Sequence, residues 1–275
     1  MREDSKDRVK AHWERETCGT RYGRGDDREE YFDEIYRSRY ERTPYLREFA
    51  RFHEARGKRV LEIGVGAGCD FRSWVENAAL VCGIDLTEAA IRLTAEHLAV
   101  KGLDAEEHEL RTADAERLPF EDRTFDIVYS YGVFHHTPDT SAAVAEAHRV
   151  LKPGGELRAM VYHVPSWTGF MLWVRYGLLA GRPLVSQKQV VFEQLESPGT
   201  KAYTLEEAKA LVALAGFHRV SVASRLCSGD FLNVRPSARY RGWPYRMIWR
   251  WWPRWLVARL GDRFGLNLLI SATRR

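Results

Sequence analysis

Residues 59–70 read Arg-Val-Leu-Glu-Ile-Gly-Val-Gly-Ala-Gly-Cys-Asp, an apolar run that leads directly into three closely spaced glycines. The apolar residues at its start are typical of a strand that is covered on both faces. The glycines allow the backbone to turn sharply against a ligand. A second apolar run, residues 81–85, ends in Asp85, whose carboxylate could accept hydrogen bonds from a ribose. The two segments together predict a nucleoside-binding pocket.

The glycine spacing distinguishes between nucleoside ligands. Gly64, Gly66 and Gly68 are spaced two and two, whereas a dinucleotide fold has the pattern GxGxxG, in which a helix N-terminus faces a pyrophosphate. The carboxylate of Glu62, two residues before the first glycine, would repel a pyrophosphate but attract an ammonium or sulfonium group. The turn therefore favours a cationic ligand. The alternatives are a tight turn that binds no ligand, and a solvated Asp85 beside a helix cap.

With these residues the sequence resembles the class I S-adenosylmethionine-dependent methyltransferases, whose first motif has the form ExGxGxG, and it is similar to the small-molecule enzymes of quinone biosynthesis. Residues 114–120 resemble the acidic adenine-contacting motif and its turn, 125–130 the fourth strand, and 149–155 the turn into the fifth. The resemblance covers residues 59–162 without a gap. It implies methyl transfer from S-adenosylmethionine, with S-adenosylhomocysteine as product and no metal.

The resemblance also implies the cofactor-binding residues. Glu62 and the glycines of the turn would face the methionine end of the cofactor, and Asp85 would face the ribose. The motif at residues 114–115 would contact the adenine, and the backbone at residues 130–131 would lie near the sulfonium. The residues implied are Glu62, Gly64, Gly66, Gly68, Asp70, Asp85, Leu86, Asp114, Ala115, Ser130 and Tyr131.

Two histidines, His135 and His136, follow the fourth strand, in the loop that in this family lies between cofactor and acceptor. Histidine titrates near neutral pH and could remove the proton of a hydroxyl acceptor. The pair could instead hold the loop in shape, and His163 is a third candidate base. We expect O-methylation of a small or lipid-like hydroxyl substrate. The alternatives are C-methylation of a quinone-like ring and a non-catalytic cofactor-binding or membrane-associated scaffold.

The order of the predicted elements gives the fold class, an α/β, doubly wound, Rossmann-like sheet with helical insertions. Beyond the first strand, the predicted strands are 80–85, 105–111, 125–130, 156–162, 217–223 and 266–273. The predicted helices are 30–42, 71–77, 88–101, 140–151 and one that opens at the capping box 204–207. The sheet is predicted to have seven strands and to be mostly parallel, and the resemblance makes the last strand antiparallel.

The predicted organisation is a single core with additions. Residues 1–52 form an N-terminal helical segment, either a lid over the cofactor or a helix packed at the sheet edge. Residues 53–275 form the methyltransferase core, with insertions at 164–202 and 226–265. Both insertions follow the carboxyl ends of strands, where ligands bind in parallel sheets. We therefore expect both to stand over the substrate.

The second insertion has an unusual composition. Residues 235–264 contain eight arginines and one acid, although the net charge of the chain is only +4, and they hold five of its nine tryptophans. Tryptophan beside arginine suits a lid over an apolar pocket, peripheral contact with a membrane, or a nucleic-acid or protein partner. The absence of an Asn-Pro-Pro-Tyr-type motif or a separate binding module argues against nucleic acid.

The remaining composition is that of a folded globular protein. The four cysteines form no CxxC pair, the chain opens without a charged-then-apolar leader, and no apolar run approaches the roughly 20 residues that cross a bilayer. We expect a cytoplasmic protein, with peripheral attachment to a membrane as an alternative. The oligomeric state stays open.

Overall fold

The computed structural model of the chain describes residues 2–77, 80–103, 108–197, 199–233, 247 and 249–275. Residues 105–107 of the predicted third strand lie outside this part. So do residues 235–246 and 248 of the tryptophan- and arginine-rich segment, with Trp243 among them.

The strands form one sheet in the order β3-β2-β1-β4-β5-β8-β7, and the short β6 pairs with β5. Their bounds are β1 Arg59–Ile63, β2 Leu80–Asp85, β3 Glu109–Thr112, β4 Phe125–Tyr131, β5 Leu151–His163, β6 Ala202–Tyr203, β7 Phe217–Arg225 and β8 Asn267–Arg274. β1 to β6 pair in parallel, and β8 runs antiparallel to both β5 and β7. The predicted fold class and its antiparallel last strand are therefore confirmed.

Two features of the sheet differ from the prediction. The two-residue β6 is too short to leave a periodic pattern in the sequence. β5 begins at Leu151, five residues before the predicted start at Glu156, because Leu151 pairs with Phe125 across a register shift in β4. The strand therefore includes the Lys-Pro-Gly-Gly segment that sequence reasoning assigned to a turn.

The helices end within about two residues of their predicted bounds where a cap or glycine stop is present. Their bounds are α1 Arg2–Arg15, α2 Arg28–Arg42, α3 Leu46–Ala50, α4 Cys69–Val75, α5 Glu88–Val100, α6 Thr140–Val150, α7 Trp167–Trp173, α8 Gln187–Gln194, α9 Leu205–Leu214 and α10 Arg254–Leu260. The Thr87 hydroxyl accepts a hydrogen bond from Ala90 N at the start of α5, and Thr204 and Glu207 form the predicted capping box of α9.

Separate apolar cores cover the two faces of the sheet. On β1, Leu61 and Ile63 pack with helices α6 and α9, whereas Val60, the residue before Leu61, faces α3, α4 and α5. Neighbouring residues alternate between the cores because side chains of a strand alternate with period two. Both faces of the central strands are buried, as the uninterrupted apolar run predicted.

The buried carboxylate of Asp230 joins the two insertions. Its Oδ1 accepts hydrogen bonds from the N and Oγ1 of Thr168 at 3.2 and 3.0 Å, and its Oδ2 accepts one from Leu266 N at 2.9 Å. The indole of Trp252 donates to the Asp230 carbonyl at 2.8 Å. Both insertions are thus fixed to each other and to the start of β8. None of the helices in the described ranges is long and apolar enough to cross a membrane.

Candidate active site

A cavity of about 670 Å³ lies at the carboxyl ends of the parallel strands. Four consecutive strand ends contribute to its wall, namely residues 62–67, 84–87, 113–116 and 131–133. Side chains at the carboxyl ends of neighbouring parallel strands meet at one edge of the sheet, which is the usual ligand position in this architecture. The cavity therefore brings together motifs that are far apart in the sequence.

The structure places most of the predicted site residues in the wall of this cavity. Those that line it are Glu62, Gly64, Gly66, Asp70, Asp85, Leu86, Asp114, Ala115, Tyr131 and His136. Gly68, Ser130 and His135 do not line it. Gly68 closes the turn by donating to Val65 O at 2.9 Å, and the side chains of Ser130 and His135 are fully buried.

The glycine turn has left-handed backbone angles, with φ of +86° at Gly64, +55° at Gly66 and +76° at Gly68. Gly64 also allows a close approach of two loops, since a Cβ there would lie 2.1 Å from Cγ2 of Val133. Its N–H donates to the Ile84 carbonyl at 2.7 Å, which holds the turn against the end of β2. Two independent features therefore favour glycine at this position: the positive φ and the close approach to Val133.

Glu62 is a buried acid with an unsatisfied oxygen. Its side chain lies at the cavity wall with the residue only 3% exposed, and Oε2 has no hydrogen-bond partner among the described residues. Burial raises the pKa of Glu62 well above its usual range, and the nearby Asp70 raises it further, while Arg39 opposes the shift. A cationic group placed beside Glu62 would satisfy this oxygen and favour its ionised form.

Asp85 is held in one orientation by three donors. Its Oδ1 accepts hydrogen bonds from the N and Oγ1 of Thr87 at 3.0 and 2.9 Å, and its Oδ2 accepts one from Gly66 N at 3.2 Å. Burial raises the pKa of Asp85, and these hydrogen bonds oppose that shift. The carboxylate thus links the end of β2 to the glycine turn.

Asp70 lines the cavity, but its oxygens are already engaged. Arg39 donates to Oδ1 and Oδ2 at 3.2 and 2.5 Å, Tyr129 donates to Oδ2 at 2.8 Å, and Tyr40 donates to Oδ1 at 3.2 Å. This network fixes α2 to α4 and β4. The predicted cofactor contact of Asp70 stays a prediction, and the geometry gives the residue a clear positioning role.

The N-terminal segment contributes directly to the cavity. Lys6 on α1 donates to Asp114 at 2.5 Å and to Glu116 at 2.8 Å, so it pairs with the motif that follows β3. Residues 12–13, 16–19 and 21–22 also line the cavity, as do Arg39 and Arg42 of α2. Segment 1–52 therefore forms part of the site wall.

The two insertions supply an apolar part of the cavity wall. Met171 and Leu172 come from the first insertion, and Leu232 and Trp249 from the second. They pack in one apolar cluster with Met160 of β5. Residues of both insertions thus line the cavity at the carboxyl ends of the strands.

His136 is the histidine that faces the cavity. Its Nδ1 lies 2.8 Å from Ser197 Oγ and 3.2 Å from Thr200 Oγ1, and its Nε2 lies 3.4 Å from Glu196 Oε2. Tyr162 donates its hydroxyl hydrogen to the same Glu196 oxygen at 2.8 Å. Ser197 and Thr200 thus anchor one side of the imidazole and leave the other beside a carboxylate.

Sequence reasoning missed Glu196 and Tyr162, both of which line the cavity. Glu196 has a left-handed φ of +53° in a segment without periodicity, so its sequence position gave no signal. Partial burial would raise the pKa of Glu196, but His136 and the Tyr162 hydroxyl outweigh it and lower the pKa. Glu196 therefore stays ionised beside the imidazole.

His135 and His163 occupy a different environment. His135 is fully buried against the Tyr162 ring, at 4.0 Å between centroids, and burial together with His136 lowers its pKa well below the usual value. His163 is also buried and places Nδ1 2.9 Å from Gly265 O. Neither lines the cavity, so of the three candidate bases only His136 can reach a bound molecule.

His135, His136 and Glu196 form a cluster that could bind a metal ion. One ligand atom each of His135, His136 and Glu196 lies within 4.8 Å of the others. The sequence-based expectation of no metal stays an untested prediction.

Known proteins resemble the central part of this chain in sequence. Residues 61–159 match the family described as "Methyltransferase domain". The phthiotriol/phenolphthiotriol dimycocerosates methyltransferase 1 of Mycobacterium ulcerans is 41% identical over 38% of this chain and 37% of its own length. The ubiquinone biosynthesis O-methyltransferase of Pseudomonas entomophila is 33% identical over 37% of this chain and 43% of its own. The chain thus matches less than half the length of these curated relatives.

A solved structure shares the fold over a larger part of the chain. The phosphoethanolamine N-methyltransferase 2 of Haemonchus contortus, in complex with phosphomonomethylethanolamine and S-adenosylhomocysteine, superposes with a TM-score of 0.56 at 23% identity, over 85% of this chain and 52% of that one. The Rossmann-like fold is therefore shared over most of the chain, and the match of residues 61–159 to a methyltransferase domain confirms the resemblance.

The glycine turn generates a stability prediction. Gly64→Ala should lower the free energy of unfolding by about 3 kcal/mol, because it combines left-handed strain with a clash against Val133. Gly57→Ala is the matched control, since Gly57 has φ +75° but open space around a Cβ, and should cost about 1 kcal/mol. Urea unfolding measures both, and Val133→Ala should partly rescue Gly64→Ala. Equal costs for the two glycine variants would contradict the close approach.

Proposed function

We propose that this chain is an S-adenosylmethionine-dependent methyltransferase that methylates a hydroxyl of a small or lipid-like acceptor. The observation that carries the proposal is the unsatisfied Glu62 oxygen beside the glycine turn, within a segment that matches a methyltransferase domain. Burying an acid without a partner costs free energy. The ammonium group of this cofactor would give Glu62 a positively charged partner. When bound, the cofactor supplies an electrophilic methyl group on its sulfonium.

The cofactor would be held by the residues that the cavity brings together. Glu62 and the backbone at Gly64 and Gly66 would hold the methionine end, Asp85 the ribose, and the wall at Asp114 and Ala115 the adenine. Leu86 and Tyr131 complete this wall. Gly68 and Ser130, predicted as contacts, would instead act through the turn and the strand that they stabilise.

The acceptor atom is proposed from the His136 site. An imidazole with one nitrogen anchored and the other beside the Glu196 carboxylate can accept a proton from a hydroxyl, since the carboxylate stabilises the resulting imidazolium. Tyr162 keeps the Glu196 oxygen in place. Carbon methylation of a quinone-like ring, and a scaffold that binds the cofactor without catalysis, remain the rival functions.

The apolar wall supports a lipid-like acceptor. Residues of both insertions and β5 give this side of the cavity an aliphatic and aromatic surface, which suits an apolar substrate. The names of the two curated relatives, a dimycocerosates methyltransferase and a ubiquinone biosynthesis O-methyltransferase, concern substrates of this chemical kind. Residues 1–52 would then act as the lid that excludes water from the reaction.

A peripheral membrane contact is part of the proposal for a cytoplasmic enzyme with a lipid-like substrate. Trp251 and Trp255 are 74% and 71% exposed, next to the exposed Arg250 and Arg259. Within the described part of the chain neither arginine forms an ion pair. Indole rings beside uncompensated arginines favour an anionic bilayer surface.

The role of Glu62 predicts a pH-dependent affinity. A bound ammonium favours the ionised acid, so cofactor binding should release a proton, and affinity should rise with pH between the usual carboxyl range and the raised pKa of Glu62. Glu62→Gln should weaken binding of S-adenosylmethionine and S-adenosylhomocysteine by about tenfold or more and remove this proton release. Titration calorimetry in buffers of different ionisation enthalpy measures both. Glu206→Gln, on exposed α9, is the control, and unchanged affinity in Glu62→Gln would refute the ammonium contact.

The role of His136 predicts a loss of turnover with the cofactor site intact. The acceptor is first sought by radiomethyl transfer into lipid, glycan and phenolic extracts. With that acceptor, His136→Asn should lower kcat by about 100-fold and leave S-adenosylhomocysteine affinity unchanged, whereas exposed His53→Asn should change neither. Substantial turnover in the His135/His136 double variant would instead favour carbon methylation.

The exposed tryptophans predict binding to anionic vesicles. In a flotation assay at low salt, the protein should rise with vesicles rich in phosphatidylglycerol and stay unbound with phosphatidylcholine alone. The Trp251→Glu/Trp255→Glu variant should lose this binding. Leu214→Glu, a substitution at an 88% exposed apolar residue of α9, should retain it. Wild-type protein that stays at the bottom of the gradient would exclude the membrane contact.

A further inference from the structure

Two arginines in the cavity wall have little charge compensation. Arg21, Arg39 and Arg42 all line the cavity, and Arg39 is neutralised by Asp70. Arg42 donates its Nε hydrogen to the carbonyl and hydroxyl oxygens of Ser38 at 3.0 and 3.2 Å. Across the described residues, no carboxylate lies within ion-pair distance of Arg42. Arg21 has only loose partners: its Nε lies 3.8 Å from Glu16 Oε1, and the Glu196 carboxylate interacts with it electrostatically.

The Tyr22 ring brings these two guanidinium groups together. The guanidinium carbon of Arg42 lies 3.7 Å from the ring centroid, and that of Arg21 lies 5.7 Å from the same centroid. The two cations are therefore separated by at most the sum of these distances, 9.4 Å. Contact with the ring stabilises each cation, although the two positive charges still repel each other.

Several other charged groups of the cavity wall are already engaged by nearby partners. Lys6 pairs with Asp114 and Glu116. Glu196 interacts with His136 and Tyr162. Glu62 is the proposed partner of an ammonium group. Among the described cations of the cavity wall, Arg42 is therefore the one without a carboxylate partner, and its charge becomes more costly when a bound acceptor displaces water.

Arg42 also lies where the polar and apolar walls meet. Its carbonyl accepts hydrogen bonds from the N and Oγ of Ser228 at 3.3 and 3.2 Å, and Ser228 of the second insertion lines the cavity. Leu232, four residues further, belongs to the apolar wall. The cavity thus offers a molecule bound at Arg42 an apolar wall for its remaining part.

We propose that Arg42 and Arg21 form an anion subsite for an amphiphilic acceptor that carries a carboxylate or a phosphate. The Nη1 and Nη2 atoms of Arg42 make no hydrogen bond to the described protein and suit a two-point contact with either group. The inference rests on the proposed function for the statement that the anion belongs to the methyl acceptor. The subsite itself is independent of methyl transfer.

The test uses three ten-carbon probes, decanoate, decyl phosphate and decanol, titrated into the full-length protein saturated with S-adenosylhomocysteine. Wild-type protein should bind one of the anionic probes at least about tenfold more tightly than decanol, and the better of the two identifies the preferred anion. Arg42→Gln should abolish this preference, and Arg42→Lys should retain part of it, since lysine keeps the charge without the planar fork. Equal binding of all three probes, or an unchanged preference in Arg42→Gln, would overturn the proposal.

Two controls separate this result from other causes. Arg47→Gln removes a guanidinium that also lies over a tyrosine ring, 3.9 Å from the Tyr40 centroid, but outside the cavity, and should leave the preference intact. Arg21→Gln, at the more exposed position, should reduce the preference for the anionic probe. This variant tests the subsite if Arg42→Gln does not fold. S-adenosylhomocysteine affinity is measured in every variant. If the wild type does not bind that ligand, the proposed function fails, and the probes are titrated without it to test the subsite.

Discussion

A carboxylate with 4% exposure is costly to bury without a compensating cation, and for Asp70 that cation is Arg39 on the N-terminal helix α2. Arg39 and Asp70 both line the cavity, and Tyr129 and Tyr40 donate hydrogen bonds to the same carboxylate. Without Arg39, Asp70 and Glu62 would be neighbouring buried acids with no positive charge between them. The N-terminal segment is therefore an electrostatic requirement of the site, because the core alone leaves too much negative charge at the strand ends.

The sequence contained most of the information about the sheet and the turn. The buried run at Val60, the acid at the end of β2 and the caps at Thr87 and Thr204 are local signals that depend on short spacing and were read with the correct bounds. The position of β5 was missed at its start because Leu151 is placed by pairing with β4, which is a long-range contact. The short β6 likewise forms through a long-range contact, its pairing with β5.

The candidate site was predicted in part for the same physical reason. Residues that follow strand ends, such as Glu62 and Asp85, reach the cavity because the topology of the sheet places them there. Which of two adjacent histidines faces the cavity depends on the short 3-10 helix at Phe134–His136 and on hydrogen bonds between His136 and two residues more than 60 positions away, Ser197 and Thr200. Glu196 and Arg42 belong to segments packed over the sheet, so no strand pattern indicated their positions.

The first insertion carries two different properties of the site on one piece of chain. Met171 and Leu172 form part of the apolar wall, and Glu196 stands beside the His136 imidazole near the end of the same segment. Under the proposed function, the preference for an acceptor and the handling of its proton are encoded together. An evolutionary exchange of residues 164–202 between related enzymes would therefore transfer substrate choice and proton chemistry as a single inherited unit, while the nucleoside half of the domain stayed the same.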